Sequence, residues 1–333
     1  MVKAFVCLLC AASACLAQKK ILVTGLSSSA VAELQAAAPS AQVVGVTPQQ
    51  ALEQIGDAHA ILGTITPEMV RAGKKLEWFQ TYSAGVERYL LLSTPELRDS
   101  RITVTNCKII QGPEIADHAL ALLLTLTRRL NKVIPTRASE TWDPQSYDAV
   151  ELNGKTALVV GVGGIGTQIA VRAAAFGMNV IGVDPKDIPY MPFLKKVVRP
   201  DRIDEVLPQA DVVFISAPQT KASTGMIGPR QFDLMKKNSY FIAVSRGPIY
   251  DTPSLVRALD SKRLAGAGLD VTDPEPLPKG HPLWKFENVV ITPHVATRSD
   301  RLQERRMEVL KENIRRFTAG EPLLHVVDKQ LGY

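Results

Sequence analysis

Gly161-Val162-Gly163-Gly164-Ile165-Gly166 lies between a short β-prone run, residues 156–160, and an alanine-rich stretch of helical spacing, residues 165–176. A glycine loop placed after a strand and before a helix is a phosphate-binding turn. Gly161 permits the tight turn, Gly163 lets the backbone approach a pyrophosphate, and Gly166 allows close helix–strand packing. The helix that starts at Ile165 then offers unpaired N–H groups and its positive dipole end to the phosphates. A second strand, residues 179–183, ends in Asp184 at about the distance the dinucleotide fingerprint expects. An acid there accepts hydrogen bonds from both ribose hydroxyls and repels a 2′-phosphate. NAD is therefore expected over NADP, with Lys186 softening the preference.

The polar residues beyond the loop arrive in a telling order. Ser245-Arg246-Gly247, Glu275 and Thr292-Pro293-His294 each follow a candidate strand, at residues 240–244, 265–269 and 289–291. Ligands bind at such strand ends in doubly wound sheets. Hydride transfer to a ketone needs a proton donor for the developing alkoxide, which histidine supplies near neutral pH. An anionic substrate needs orientation, which the planar arginine fork supplies. Glu275 is placed to hydrogen-bond the His294 imidazole and fix its tautomer. Each residue alone has a plainer reading. An arginine before glycine closes turns, a histidine after proline caps loops, and Asp270 and Glu275 beside prolines are ordinary turn acids. Together, in this order, they favour catalysis.

These motifs resemble those of the D-isomer-specific 2-hydroxyacid dehydrogenase family. The matching stretches are the glycine loop, Ser245-Arg246-Gly247, Gly268-Leu269-Asp270-Val271 with Pro274-Glu275-Pro276-Leu277, and Thr292-Pro293-His294. The resemblance implies an α/β chain of two Rossmann-like doubly wound domains separated by a cleft. The substrate domain is expected at residues 19–113 and 296–333, and the NAD-binding domain at 114–295. It implies catalytic roles for Arg246, Glu275 and His294, and a substrate loop at Ser83-Ala84-Gly85 whose N–H groups receive the carboxylate together with Arg246. The cofactor surface it implies comprises Gly161, Gly163, Gly164, Ile165, Gly166, Asp184, Ala217, Pro218, Ser245 and Asp270, the last holding the nicotinamide carboxamide. Glu275 argues against the formate dehydrogenase branch, which has glutamine there. Asp117 replaces the family's usual glutamate, and Thr297 stands where glycine is common. The implied activity is NAD-linked interconversion of a small 2-keto acid and its D-2-hydroxy acid, of the glyoxylate or hydroxypyruvate reductase type. An NAD-sensing, corepressor-like binding protein on the same fold is the alternative.

The rest of the chain sets bounds. Its 333 residues suit two domains, and strand-like runs alternate with helical ones as in a doubly wound sheet. A long apolar helix, residues 114–130, leads into the second unit; the resemblance assigns it to a homodimer interface, with an ordinary buried core helix as the competing reading. A final helix, residues 299–319, returns to the first domain. The net charge of +6 is dispersed, and the basic stretch 301–316 is interleaved with Glu304, Glu308 and Glu312, a solvated helix face rather than a nucleic-acid site. No zinc-type spacing is present, so no metal is expected. Lys3 followed by the apolar residues 4–17 has the form of an export signal cut after Ala17, which assigns residues 1–18 to that segment. It is too short for a permanent membrane span. The enzyme class, by contrast, suits the cytoplasm. Tyr82, Trp142 and Trp284 are candidate pocket walls, with core packing the competing role.

Overall fold

The computed structural model describes residues 18–142, 144 and 148–333. The expected export signal, residues 1–17, lies outside the described residues, together with Cys7, Cys10 and Cys15. Cys107 is free and buried, and burial pushes its thiol up to about 12.

Two all-parallel sheets form the frame. The first contains β1 (Lys20–Thr24), β2 (Gln42–Val46), β3 (Ala60–Leu62), β4 (Trp78–Gln80) and β5 (Thr103–Thr105) in the order β2-β1-β3-β4-β5. Its crossovers carry helices α1 (Ser28–Ala37), α2 (Pro48–Gln54), α3 (Pro67–Ala72) and α4 (Glu96–Asp99). Then α5 (Gly112–Thr127) and α6 (Leu130–Val133) lead to the second sheet. That sheet contains β6 (Thr156–Val160), β7 (Asn179–Val183), β8 (Lys196–Val198), β9 (Val212–Ile215), β10 (Ser239–Ala243), β11 (Leu264–Leu269) and β12 (Val289–Ile291). Its order is β12-β11-β10-β9-β6-β7-β8, with α7 (Gly164–Ala175), α8 (Pro229–Leu234) and α9 (Thr252–Asp260) in the crossovers. The final helix, α10 (Leu302–Ala319), returns to the first domain.

The sheets are covered on both faces, so their strands read as continuous apolar runs. Along β6, Ala157 and Val159 face the α5 and α7 side, while Leu158 and Val160 face the core that holds α8 and α9. In β1, Ile21 and Val23 join α10, and Leu22 points to the opposite core. The expected long helix breaks at Arg129, which adopts φ +57° before α6 begins. β8 and β9 were not anticipated. β8 is a three-residue edge strand that starts with a lysine, whereas β9 is a fully buried Val-Val-Phe-Ile run. Among the described residues, no helix is long and apolar enough to cross a membrane.

A buried polar network fastens α10 to the first sheet. Trp78 donates to Thr105 Oγ1 at 2.7 Å, and that hydroxyl donates to Gln80 Oε1 at 2.7 Å. Asn313 Nδ2 reaches the same Gln80 oxygen at 2.9 Å and the Leu324 carbonyl at 3.2 Å, while its Oδ1 accepts from Leu324 N–H at 2.7 Å. Asn313→Ala removes three hydrogen bonds from a site closed to water. A loss of about 3 kcal/mol is expected at about 1 kcal/mol per bond. Urea unfolding monitored by circular dichroism measures it, and an unchanged midpoint refutes it.

Candidate active site

The cofactor loop forms where the second sheet's strand order reverses. From β6 the chain builds outward to β7 and β8 on one side, then to β9, β10, β11 and β12 on the other. Gly161 leaves β6 at φ +92°, and a Cβ there would sit 2.5 Å from Ala217 Cα, at the end of β9. Ala217-Pro218 thus flanks the loop across the crevice at which such sheets bind ligands. A Cβ on Gly166 would run into the Gly161 carbonyl, and one on Gly164 would meet Ile109 Cα at 2.8 Å. Gly163 faces open space, with no atom within 4 Å of a Cβ built there. It precedes α7 without a side-chain cap, so the N–H groups of Gly164, Ile165 and Gly166 have no partner within the helix. The Ser245 hydroxyl, two residues beyond β10, is buried without a hydrogen-bond partner among the described residues. An open glycine backed by free helix N–H groups fits a dinucleotide pyrophosphate.

Asp184 is buried at the end of β7. Its Oδ2 accepts from Val162 N–H at 2.8 Å and its Oδ1 from Lys186 N–H at 2.9 Å, so it braces the loop directly. The Lys186 and Lys108 ammonium groups stand near one another. Burial, and then the neighbouring Lys186, lowers the Lys108 pKa. Lys186 Nζ lies 4.2 Å from the Tyr333 ring centroid.

Three strand ends carry the candidate catalytic groups. Ala243, Leu269 and Ile291 are register partners across β10, β11 and β12. Arg246 and His294 each stand three residues beyond their partner, on strands about 10 Å apart at the usual spacing. Gly247 is required because a Cβ there would strike the Thr272 carbonyl. The Arg246 Nε donates to Glu87 Oε1 at 2.7 Å, and its Nη1 donates to the Ser245 carbonyl at 2.6 Å. In the loop Ser83-Ala84-Gly85, the Ser83 hydroxyl donates to the Gly85 carbonyl at 2.7 Å, and Asn106 donates to the Ala84 carbonyl at 2.7 Å. Among the described residues, the N–H groups of Ala84 and Gly85 have no partner. A cavity of about 390 Å³ opens there, lined by Thr24, Tyr82, Ser83, Gly85, Glu87 and Arg246.

His294 adopts φ +53°, and its Nδ1 lies 2.7 Å from Glu275 Oε1. Asp270 is buried beneath it. Its carboxylate accepts from Thr292 Oγ1 at 2.6 Å, Val295 N–H at 2.9 Å and Ala296 N–H at 3.0 Å, and its carbonyl accepts from His294 N–H at 2.9 Å. His118 of α5 adds Nε2 at 2.9 Å from the Thr292 hydroxyl. Asp270 thereby fixes the loop that presents His294. Tyr82 donates to the Thr24 carbonyl at 2.9 Å and does line the cavity. Trp142 and Trp284 are 94% and 53% exposed, so neither packs in a core.

Residues 120–296 match the model of the D-isomer specific 2-hydroxyacid dehydrogenase NAD binding domain. The chain belongs to the D-isomer specific 2-hydroxyacid dehydrogenase family. It is 33% identical over 298 residues to a glyoxylate reductase of Thermofilum pendens, covering 85% of each protein. A solved glyoxylate reductase from Paecilomyes thermophila superposes with a TM-score of 0.80 at 26% identity, over 95% of this chain and 100% of that one. An acyclic imino acid reductase solved with NADPH and D-arginine superposes with a TM-score of 0.79 at 25% identity, over 92% and 99%. As a family member, the protein is a dinucleotide-dependent oxidoreductase acting on CH–OH donors.

Several residues around this dehydrogenase site escaped the sequence reading. Glu87 stands two residues after the substrate loop, yet its partner Arg246 is 159 positions away. His118 meets Thr292 across 174 positions. Lys108 carried no local signal at all. The glycine loop, in contrast, yields a direct test. Gly161→Ala forces a side chain into positive φ and against Ala217, a strain of about 1–3 kcal/mol. NADH affinity is expected to fall at least tenfold by fluorescence titration, and wild-type affinity refutes the placement.

Proposed function

We propose that this dehydrogenase reduces a small 2-keto acid, of the glyoxylate or hydroxypyruvate kind, to the D-2-hydroxy acid with NADH. The observation that carries this reading is a pair of devices built around Arg246 and His294, which follow β10 and β12 of one sheet. One is a guanidinium whose Nη2 lacks a partner among the described residues, beside the free N–H groups of Ala84 and Gly85. The other is an imidazole with a carboxylate 2.7 Å from its Nδ1.

The substrate carboxylate docks on Arg246 Nη2 and the two loop N–H groups, which turns the keto carbon toward the crevice. A nicotinamide held beside the glycine loop would supply the hydride. Glu275 keeps the proton of His294 on Nδ1, leaving Nε2 to hold a second proton for the carbonyl oxygen. His294 gives up that proton as the oxygen becomes a hydroxyl, and in the reverse direction it takes the proton back. Asp270 holds the loop so that the ring stays aligned. Gly163 and the start of α7 hold the cofactor phosphates. The Asp184 carboxylate, buried just after β7, would repel a 2′-phosphate, which supports NAD over NADP. Leu130, Ile134 and Trp142 are exposed apolar residues after α5, which supports a homodimer through this segment.

The test is a screen of the purified protein with glyoxylate, hydroxypyruvate, pyruvate and bulkier keto acids, each with NADH and NADPH. Oxidation of NADH with the small acids is expected. Silence with every acid and both nucleotides overturns the activity, and a higher kcat/KM with NADPH overturns the cofactor assignment.

A further inference from the structure

The ion pair between Glu87 and Arg246 joins the two domains at the mouth of the substrate cavity. Glu87 is the only carboxylate paired with Arg246 among the described residues, and its side chain is 12% exposed. We propose that Glu87 is a positioning residue, holding the Arg246 guanidinium by Nε so that its Nη2 edge faces the carboxylate of the 2-keto acid. The inference rests on the proposed reduction and assigns it one more residue.

Two of the three guanidinium nitrogens are tied inside the protein, Nε to Glu87 at 2.7 Å and Nη1 to the Ser245 carbonyl at 2.6 Å. These bonds fix both the plane of the fork and its rotation. The remaining nitrogen lies against Gly85, where an added Cβ would collide with Nη2 and sit 2.5 Å from Glu87 Oε2. Gly85 therefore lets the guanidinium reach the level of the loop N–H groups. A free arginine loses rotamer entropy when it is immobilised. Glu87 removes that cost before the substrate arrives, which is preorganisation. Its negative charge also opposes the attraction of Arg246 for an anion. A pure electrostatic role would make Glu87 a competitor of the substrate. The position of the pair favours alignment, because Glu87 occupies Nε and leaves the Nη2 edge to the substrate.

The two roles predict opposite signs. In the full chain, Glu87→Ala is expected to raise KM for the best keto acid at least tenfold, with kcat lowered less than threefold and the NADH Kd unchanged. Glu87→Gln keeps an oxygen that accepts from Nε–H, so KM should return to within about threefold of wild type. Oxalate binding to the protein–NADH complex, followed by nicotinamide fluorescence, should weaken tenfold in the alanine variant and recover in the glutamine variant. An unchanged or lowered KM in Glu87→Ala overturns the inference, as does a glutamine variant no better than alanine. Should the alanine variant fail to fold, Glu87→Asp takes its place, and a wild-type KM there overturns the inference too. A wild-type protein that neither binds oxalate nor reduces any keto acid defeats the proposed activity instead.

Discussion

Replacing His294 with asparagine is expected to lower kcat for keto-acid reduction by about 10³, inside the 10²–10⁴ range for a positioned acid–base group. The NADH Kd should change less than threefold. Asparagine is the informative replacement for two reasons. His294 holds φ +53°, a region in which asparagine is enriched among non-glycine residues, so the loop geometry survives. The asparagine amide can also donate to Glu275, preserving the contact His294 makes at 2.7 Å from Nδ1. What disappears is the second ring nitrogen, and with it the proton delivered to the carbonyl oxygen. Backbone bonds from His294 N–H to the Asp270 and Thr292 carbonyls, at 2.9 and 3.0 Å, hold the loop in both proteins. Stopped-flow absorbance at the NADH band measures the rate. An asparagine variant above a tenth of the wild-type kcat refutes the role of His294.

The legible parts of this protein are those whose signals are local. β1, β6 and β10 are apolar on both faces, so each reads as a strand without knowledge of its neighbours. β9 carries the same kind of signal in Val-Val-Phe-Ile. β8 is different in kind. A short edge strand beginning with lysine is decided by its pairing with β7, which no local run encodes. The break at Arg129 is likewise silent, because nothing in a non-glycine residue announces positive φ. The site divides the same way. The glycine loop, Arg246, Glu275 and His294 stand at strand ends whose order is visible along the chain. Glu87 and His118 join them only through the closing of two domains and the packing of α5. Asp270 shows a subtler limit. Its place after β11 was legible, but the choice among acceptor partners belongs to the backbone of Val295 and Ala296.

Arg246→Ala should cost about 10³ in kcat/KM for the best keto acid, since truncating one member of a hydrogen-bonded charge pair costs about 2–5 kcal/mol. Arg246→Lys should cost about 10², because the ammonium keeps the charge but lacks the fork. In the wild type the fork performs three tasks at once: Nε to Glu87, Nη1 to the Ser245 carbonyl, and Nη2 toward the loop N–H groups. One ammonium cannot span those directions, so most of the lysine defect should appear in KM. The alanine variant also leaves Glu87 unpaired while it is mostly buried. A stability loss of about 1–2 kcal/mol is expected, below the 3–5 kcal/mol of a fully buried pair because Arg246 is 28% exposed. Adding guanidinium ion to the alanine variant should restore part of its activity at concentrations too low to unfold it, since the vacated space ends at Glu87 and the substrate edge. NADH titration should give the same Kd in all three proteins, because the glycine loop lies on β6 and Arg246 follows β10. Wild-type kcat/KM in the alanine variant would show that the carboxylate docks elsewhere, and wild-type kcat/KM in the lysine variant would show that charge, not the fork, is what the substrate reads.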